Sequence, residues 1–295
     1  MATGKTKLFT LLGDYPVTLP IKQGQVPSDL VEFEFADIKV ANQGFKPLVR
    51  EAKFDLSELA IVTFLQAKAY DKPYVLIPAL VLARAQLHTI AYNSERGELK
   101  PSDLAGKRVG VRAYSVTTGV WVRGILQRQY GVDPNKVHWV TFEDPHVAEY
   151  KDPPAVERAP AGKDMVQMLL DGELDAAVVG DKLPDPQLKM LIPDVEAASR
   201  AWADQHGQPI NHMLVIRSEL SRTRPDVVRE VFRIFKAARD IAVRDGNKNA
   251  AQLQYGVEAN RRSLDAIIAF AFEQKLIPRR YTVDELFDDT TRSLV

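Results

Sequence analysis

Cysteine is absent from all 295 residues. That absence removes disulfide frameworks, zinc fingers, thiolate nucleophiles and Cys-ligated iron–sulfur clusters. Charge of one sign is also lacking: Lys and Arg total 39 against 39 Asp and Glu, so there is no cationic surplus of the kind that builds nucleic-acid or anionic-membrane binding. A small-molecule partner is expected, with no nucleic acid and no membrane. Long hydrophobic runs fail too, since the most apolar stretch, Tyr74 to Leu87, is broken by Pro78 and Arg84 and falls short of the roughly 20 residues that cross a bilayer. Near the N-terminus the run Leu8–Leu12 is cut by Gly13 and Asp14, too soon for a signal-peptide core. Together these features lead to the expectation of a soluble, cytoplasmic protein, unless a leader has been removed.

Several catalytic signatures are missing as well. Gly4-Lys5-Thr6 has neither the preceding strand nor the glycine of a phosphate loop, and Gly106-Lys107-Arg108-Val109-Gly110 has the wrong glycine spacing for a dinucleotide site. No His-Glu-x-x-His and no Gly-x-Ser-x-Gly occurs, which leaves zinc hydrolysis and a serine nucleophile without support. His138, Glu143, Asp144 and His146 lie close in sequence, but the first belongs to a strand and the others to a polar loop, so no metal site is expected.

What the chain does carry is α/β texture. Lys7–Leu12 reads as a strand, and Val31, Phe33 and Phe35 alternate with Glu32 and Glu34 in the period-two pattern of a half-buried strand. Gln43–Ala52 reads as a helix, Leu59–Phe64 as a short buried strand, and Tyr74–Ile77 and Thr89–Tyr92 as two more. A polar Asn93–Gly97 follows, as in a linker. Next come the strand Lys107–Val111, a helix Thr118–Tyr130 stopped by Gly131, the strand Val137–Phe142, the helix Gly162–Leu170 and the strand Ala176–Val179. This order implies a small parallel sheet with right-handed crossovers. Asp144–Pro160 is a long loop, and Asp181–Pro209 a polar, proline-rich passage. Beyond the strand His212–Ile216, Pro225 opens a helix with its core stripe at Val228, Val231, Phe232, Phe235, Ala238 and Ala242. Ser263–Lys275 forms another, and Thr282 with Glu285 has capping-box spacing for a last short one.

The residues able to do chemistry are few. His88 and His212 lie at or beside strands, where an unpartnered imidazole is costly to bury, and Arg84 precedes His88 by one helical turn. Tyr114-Ser115-Val116-Thr117-Thr118 joins a strand to a helix, offering hydroxyls and free backbone N–H groups as a carboxylate seat or as ordinary caps. Glu58 stands beside a buried strand, and Asp14-Tyr15 directly follow the first strand. Such strand ends are where open α/β sheets place ligand groups.

Two longer strings are more particular. Leu104-Ala-Gly-Lys-Arg-Val-Gly-Val, followed by Tyr114, Thr117 and Val120-Trp-Val-Arg-Gly-Ile-Leu126, and later Tyr255-Gly-Val-Glu-Ala-Asn-Arg261, resemble the 4,5-dihydroxyphthalate decarboxylase family. So do Phe54-Asp-Leu-Ser-Glu-Leu59, Pro209-Ile-Asn-His212, Glu273-Gln274 and Glu285-Leu-Phe287. The likeness runs in one order along nearly the whole chain. Two places depart from the family pattern: Arg112-Ala113 stands where a Pro-Glu pair is usual, and Ala60–Thr63 replaces a more Ser-rich run.

The resemblance implies a two-lobed α/β, periplasmic-binding-protein-like type II fold with the ligand cleft between lobes. Residues 1–93 with 200–295 would form the first lobe and 97–197 the second, with crossovers near 93–97 and 197–212. It further implies loss of CO2 from a hydroxylated aromatic dicarboxylate to give a catechol acid, with no cofactor. His212 or His88 would donate the proton, since imidazole titrates near neutrality, with Glu58 orienting it or accepting a phenolic proton. Asp14, Tyr15, Arg84, Tyr114, Ser115, Thr117 and Thr118 would bind the small aromatic carboxylate, Arg84 in bidentate fashion. Arg112 would add positive charge there. A homo-oligomer stays open. The rival reading is a non-catalytic solute-binding protein for an aromatic carboxylate, of the ABC-transporter type, because a fold does not fix a function.

Overall fold

The computed structural model describes residues 4–295. Met1, Ala2 and Thr3, which open the basic N-terminal segment and the expected first lobe, lie outside the described residues. The strands are β1 (Thr6–Leu11), β2 (Val31–Phe35), β3 (Leu56–Ala60), β4 (Tyr74–Ala83) and β5 (Ile90–Asn93). Next in the chain are β6 (Arg108–Val111), β7 (His138–Thr141), β8 (Glu157–Arg158), β9 (Ala176–Val178), β10 (Leu188–Met190) and β11 (Ile210–Arg217). They form two sheets, and the chain divides into two units.

The first unit holds the chain up to Ala83, Ile210–Ile268 and Ile277–Val295. Its sheet runs β2-β1-β3-β11-β4, with β1 parallel to β2 and β3, and β11 antiparallel to both β3 and β4. Position in the sheet explains the patterns. β3 is buried along its whole length, whereas the edge strand β2 buries Val31 and exposes Glu32 and Glu34. The helix Pro225–Arg244 lays Val228, Val231, Phe232 and Phe235 on a core that includes Leu8, Leu56, Ile77 and Ile216. Each such side chain contributes about 1.5–3 kcal/mol on burial, so packing rather than helix propensity holds this element in place.

Two expectations change here. Leu59–Phe64 is not a strand: β3 ends at Ala60 and a helix, Ile61–Ala69, begins at once. Ile61 to Ala67 are all buried, and a run apolar on every side has no period by which helix and strand differ. The strand expected at Tyr74–Ile77 runs on through Pro78 to Ala83. β4 is a sheet edge whose pairing with β11 is irregular around His212 and Met213, the setting in which a strand tolerates a missing N–H.

The second unit comprises Arg84–Pro209 and Ala269–Leu276. Its sheet runs β10-β5-β9-β6-β7-β8, parallel from β9 through β8, with β5 and β10 antiparallel at the other end. The chain has therefore entered this unit before the expected crossover at 93–97, because β5 already pairs with β9 and β10. Residues 200–209, expected in the first lobe, group with the second unit. So does the end of the helix Val257–Glu273 with the residues after it. Phe270 there meets Trp121 edge-on at 5.8 Å, and Gln274 accepts a 2.6 Å hydrogen bond from Arg123 Nε. The polar passage before Pro209 also contains a helix, Val195–His206, that buries Trp202.

Arg123 lies inside the helix Thr117–Tyr130, which ends at Gly131 in the left-handed conformation (φ 69°). Only 1% of Arg123 is exposed. Its guanidinium donates to the Tyr114 carbonyl and stacks 4.0 Å from the Tyr114 ring. Burial pushes its pKa downward. The neighbouring Gly124 allows the close approach of Phe270: a Cβ at 124 would run into the ring. Gly124→Ala is accordingly expected to destabilise the protein by about 1–3 kcal/mol, since overpacking outweighs the helix-propensity gain of about 1 kcal/mol. Chemical denaturation reads this as a lowered midpoint, and Phe270→Leu in the same chain should restore part of it; an unchanged or raised midpoint would refute this account of the packing.

Candidate active site

In the first unit the chemistry collects around Glu58. β3 lies between β1 and β11 in the interior of the sheet, and Glu58 on it is 0% exposed. A buried carboxylate needs partners. Glu58 Oε1 accepts the Gly13 N–H at 2.5 Å, from the turn after β1, and Oε2 lies 2.6 Å from His212 Nδ1. The strand register explains the second contact: Leu214 stands opposite Glu58 and His212 opposite Ala60, which makes His212 a diagonal neighbour within side-chain reach. The Glu58 carboxylate thus meets the imidazole at Nδ1. Phe45 packs edge-on to the imidazole at 5.3 Å, and the His212 side chain keeps 16% exposure, so the ring is held yet reachable.

Gly13 is part of this arrangement because it has no side chain. A Cβ there would lie 3.0 Å from Glu58 Oε1 and 2.8 Å from the Tyr15 ring. Thr18 secures the turn, its hydroxyl donating to the Gly13 carbonyl at 2.7 Å and accepting from the Tyr15 N–H at 2.9 Å. Tyr15 is half-buried beside Gly13, whereas Asp14 is exposed and bonded to Lys22 at 2.5 Å. The Asp14 carboxylate thus already has a cation of its own.

In the second unit Arg84 and His88 come together through a residue that sequence reasoning missed. One carboxylate oxygen of Asp181 pairs with the Arg84 guanidinium and lies 3.1 Å from His88 Nε2. Burial first, and then the Arg84 charge, hold the His88 pKa below the ordinary histidine value. An imidazole so placed favours the neutral form. Arg112, expected to add positive charge, is paired with Glu143 at 3.0 Å instead.

Tyr114, Ser115 and Thr117 are buried and Thr118 half-buried at the start of the helix Thr117–Tyr130. The N-cap is Val116, and no side chain caps the first turn. The Tyr114 ring is turned onto Arg123, whose cation lies behind this helix start. A recess of about 260 Å³ is lined by Tyr114, Trp139, Pro153 and Gln274 among others, but none of the histidines belongs to it.

Among the described residues no group of three or more His, Cys, Asp or Glu stands close enough to hold a metal. Glu143 is taken by Arg112, and Asp144 lies 3.5 Å from Arg158. Among them too, no helix is long and apolar enough to cross a membrane.

Comparison with known proteins follows the same lines. No family model matches the chain. A curated 4,5-dihydroxyphthalate decarboxylase of Comamonas testosteroni is 30% identical over 321 aligned positions, covering 96% of each chain. One of the same name from Pseudomonas putida is 31% identical over 67% of this chain and 81% of that one. Among solved structures, the alkanesulfonate-binding protein SsuA of Xanthomonas axonopodis pv. citri superposes with a TM-score of 0.59 at 14% identity, over 97% of this chain and 99% of that one. A desulfurization enzyme gives 0.59 at 13% identity over 97% and 98%. At such identities the structures establish the periplasmic-binding-protein-like fold and nothing finer. The sequence relationship reaches further than the fold, over nearly the full length of both chains: the protein belongs to the 4,5-dihydroxyphthalate decarboxylase family.

Proposed function

We propose that the protein decarboxylates a hydroxylated aromatic dicarboxylate of the 4,5-dihydroxyphthalate type, with His212 as proton donor. The observation that carries this reading is the buried Glu58 carboxylate clamped between the Gly13 N–H and His212 Nδ1. A hydroxyl para to the leaving carboxylate pushes electron density onto the ring carbon that bears it. The protonated Nε2 of His212 delivers a proton to that carbon, forming the C–H bond. The carbon–carbon bond then breaks, its electron pair restores the aromatic ring, and CO2 leaves with a catechol acid as the other product. His212 recovers its proton from water. Glu58 stabilises the imidazolium and holds its orientation, as a carboxylate does behind a catalytic histidine.

The ring serves as its own electron sink, so the scheme calls for no organic cofactor. Arg84 with His88, and the helix start at Ser115, Thr117 and Thr118, are assigned to carboxylate binding. Asp14 and Tyr15 border the Gly13 turn and are assigned to the substrate side of Glu58.

Incubation with 4,5-dihydroxyphthalate, phthalate and singly hydroxylated phthalates, followed by CO2 release, tests the reaction. Turnover should require a hydroxyl para to a carboxylate, and binding without CO2 release across the whole panel would assign the chain to ligand binding instead. His212→Ala is expected to lower kcat by about 10²–10⁴-fold, the usual worth of a general acid, with substrate still bound. Glu58→Gln should keep the Gly13 hydrogen bond and lower kcat by roughly ten- to a hundredfold, because it can no longer stabilise the imidazolium. His88→Ala should act mainly on KM. Wild-type kcat in His212→Ala would remove it as the donor.

A further inference from the structure

The pairing of Arg84 and His88 with Asp181 has a use that the reaction scheme does not absorb. Both basic residues are largely enclosed, with side-chain exposures of 28% and 22%, whereas Asp181 is 57% exposed. The receiving side is therefore built into the body of the second unit, and the carboxylate that fills it comes from outside. Arg84 follows the end of β4 and His88 sits in the short turn Leu87–Thr89 before β5. Asp181 arrives from the far end of β9. Its approach is set by two backbone features: the Val179 N–H bonds the Thr89 carbonyl at 2.8 Å, and Gly180 takes φ 103°, a conformation that favours glycine. The bond at Val179 holds β9 against the turn that carries His88. Gly180 then turns the chain so that Asp181 comes back to that turn.

From this geometry we propose that Asp181 is a built-in competitor for the substrate: its carboxylate occupies the seat formed by Arg84 and His88, and a substrate carboxylate displaces it on binding. The inference rests on the reading of Arg84 and His88 as carboxylate-binding groups, and it names the residue that sets the threshold of that site. An aspartate carboxylate and an aromatic carboxylate present the same two oxygens. A guanidinium and an imidazole N–H cannot distinguish them except by geometry and by what else the ligand contacts. An ion pair that is half in water is weak, so a ligand with a second carboxylate or ring hydroxyls to anchor elsewhere can replace it, while a simple monoacid gains too little. Asp181 in this role raises selectivity for dicarboxylates by making every ligand compete.

Asp181 would act through Arg84 and His88 rather than on the reacting atoms, so the test is a gain that the loss of a structural prop would not give. Calorimetric titration of phthalate, which lacks the hydroxyl needed for turnover, and of benzoate, into the wild-type protein and Asp181→Asn measures the competition directly. Asp181→Asn should bind phthalate about three- to tenfold more tightly, as expected for removing one weak internal ion pair, and should narrow the preference for phthalate over benzoate. KM for 4,5-dihydroxyphthalate should fall similarly with kcat little changed. Adding Arg84→Gln should abolish the gain. Asp181→Glu, which retains the charge, should stay near wild type. Equal or weaker phthalate binding by Asp181→Asn overturns the proposal even if CO2 is released normally. Failure of both proteins to bind phthalate overturns it as well. Tighter binding with no CO2 from any hydroxylated phthalate leaves the competitor in place and removes the decarboxylase reading.

Discussion

The first unit is organised around one electrostatic constraint, a carboxylate with no access to water. Glu58 is fully enclosed on a strand flanked by strands on both sides, and an isolated buried charge of this kind is not tolerated. The turn after β1 must therefore bring the Gly13 N–H to one oxygen, and β11 must place His212 against the other. Three segments far apart in sequence are fixed relative to one another by these contacts. The lack of a side chain at Gly13, the Thr18 hydroxyl that braces its turn and the edge of Phe45 on the imidazole all serve the same geometry.

This fold is compatible with binding alone and with catalysis, as the likeness to both an alkanesulfonate-binding protein and a desulfurization enzyme illustrates. What separates the two is local. A binder needs donors and cations that satisfy the ligand in its ground state, whereas a decarboxylase needs a proton held where negative charge develops in the transition state. The proposed role of His212 rests on the second requirement, with Glu58 Oε2 2.6 Å from its Nδ1. Arg84 and His88, on the second unit, are the groups proposed to meet the first requirement.

The parts legible in the sequence were those with a local signature. The alternation Val31–Phe35, the stripe from Val228 to Ala242 and the stop at Gly131 each declare an element within a few residues, and each is found. Glu58 and His212 could be singled out as polar residues set in apolar strands, but their pairing depends on β3–β11 register, which no local pattern encodes. The run Leu59–Phe64 misled because burial on every side erases periodicity. Gly13 did leave a trace, as a glycine breaking an apolar run at a strand end. Asp181 left none: an exposed aspartate in a polar, proline-rich passage looks like solvated surface, and its meeting with Arg84 and His88 is set by how β5 and β9 pair.

The neutral composition takes on a sharper meaning at this level. A net charge of zero could conceal one concentrated patch of positive potential, and the grouping of Arg84, Arg112 and a helix start invited that view. In the second unit Arg84 is instead paired with Asp181 and Arg112 with Glu143. Arg123 differs from both, being buried and hydrogen-bonded to the neutral Tyr114 carbonyl and the Gln274 side chain. For a site that takes aromatic dicarboxylates, as proposed, a long-range field that draws in any anion would do little to separate them from simpler acids. Cations that already hold a carboxylate respond only to a ligand able to replace it. In the proposed exchange such a ligand carries further groups that bind elsewhere, and selectivity comes from short-range exchange of partners rather than from attraction at a distance.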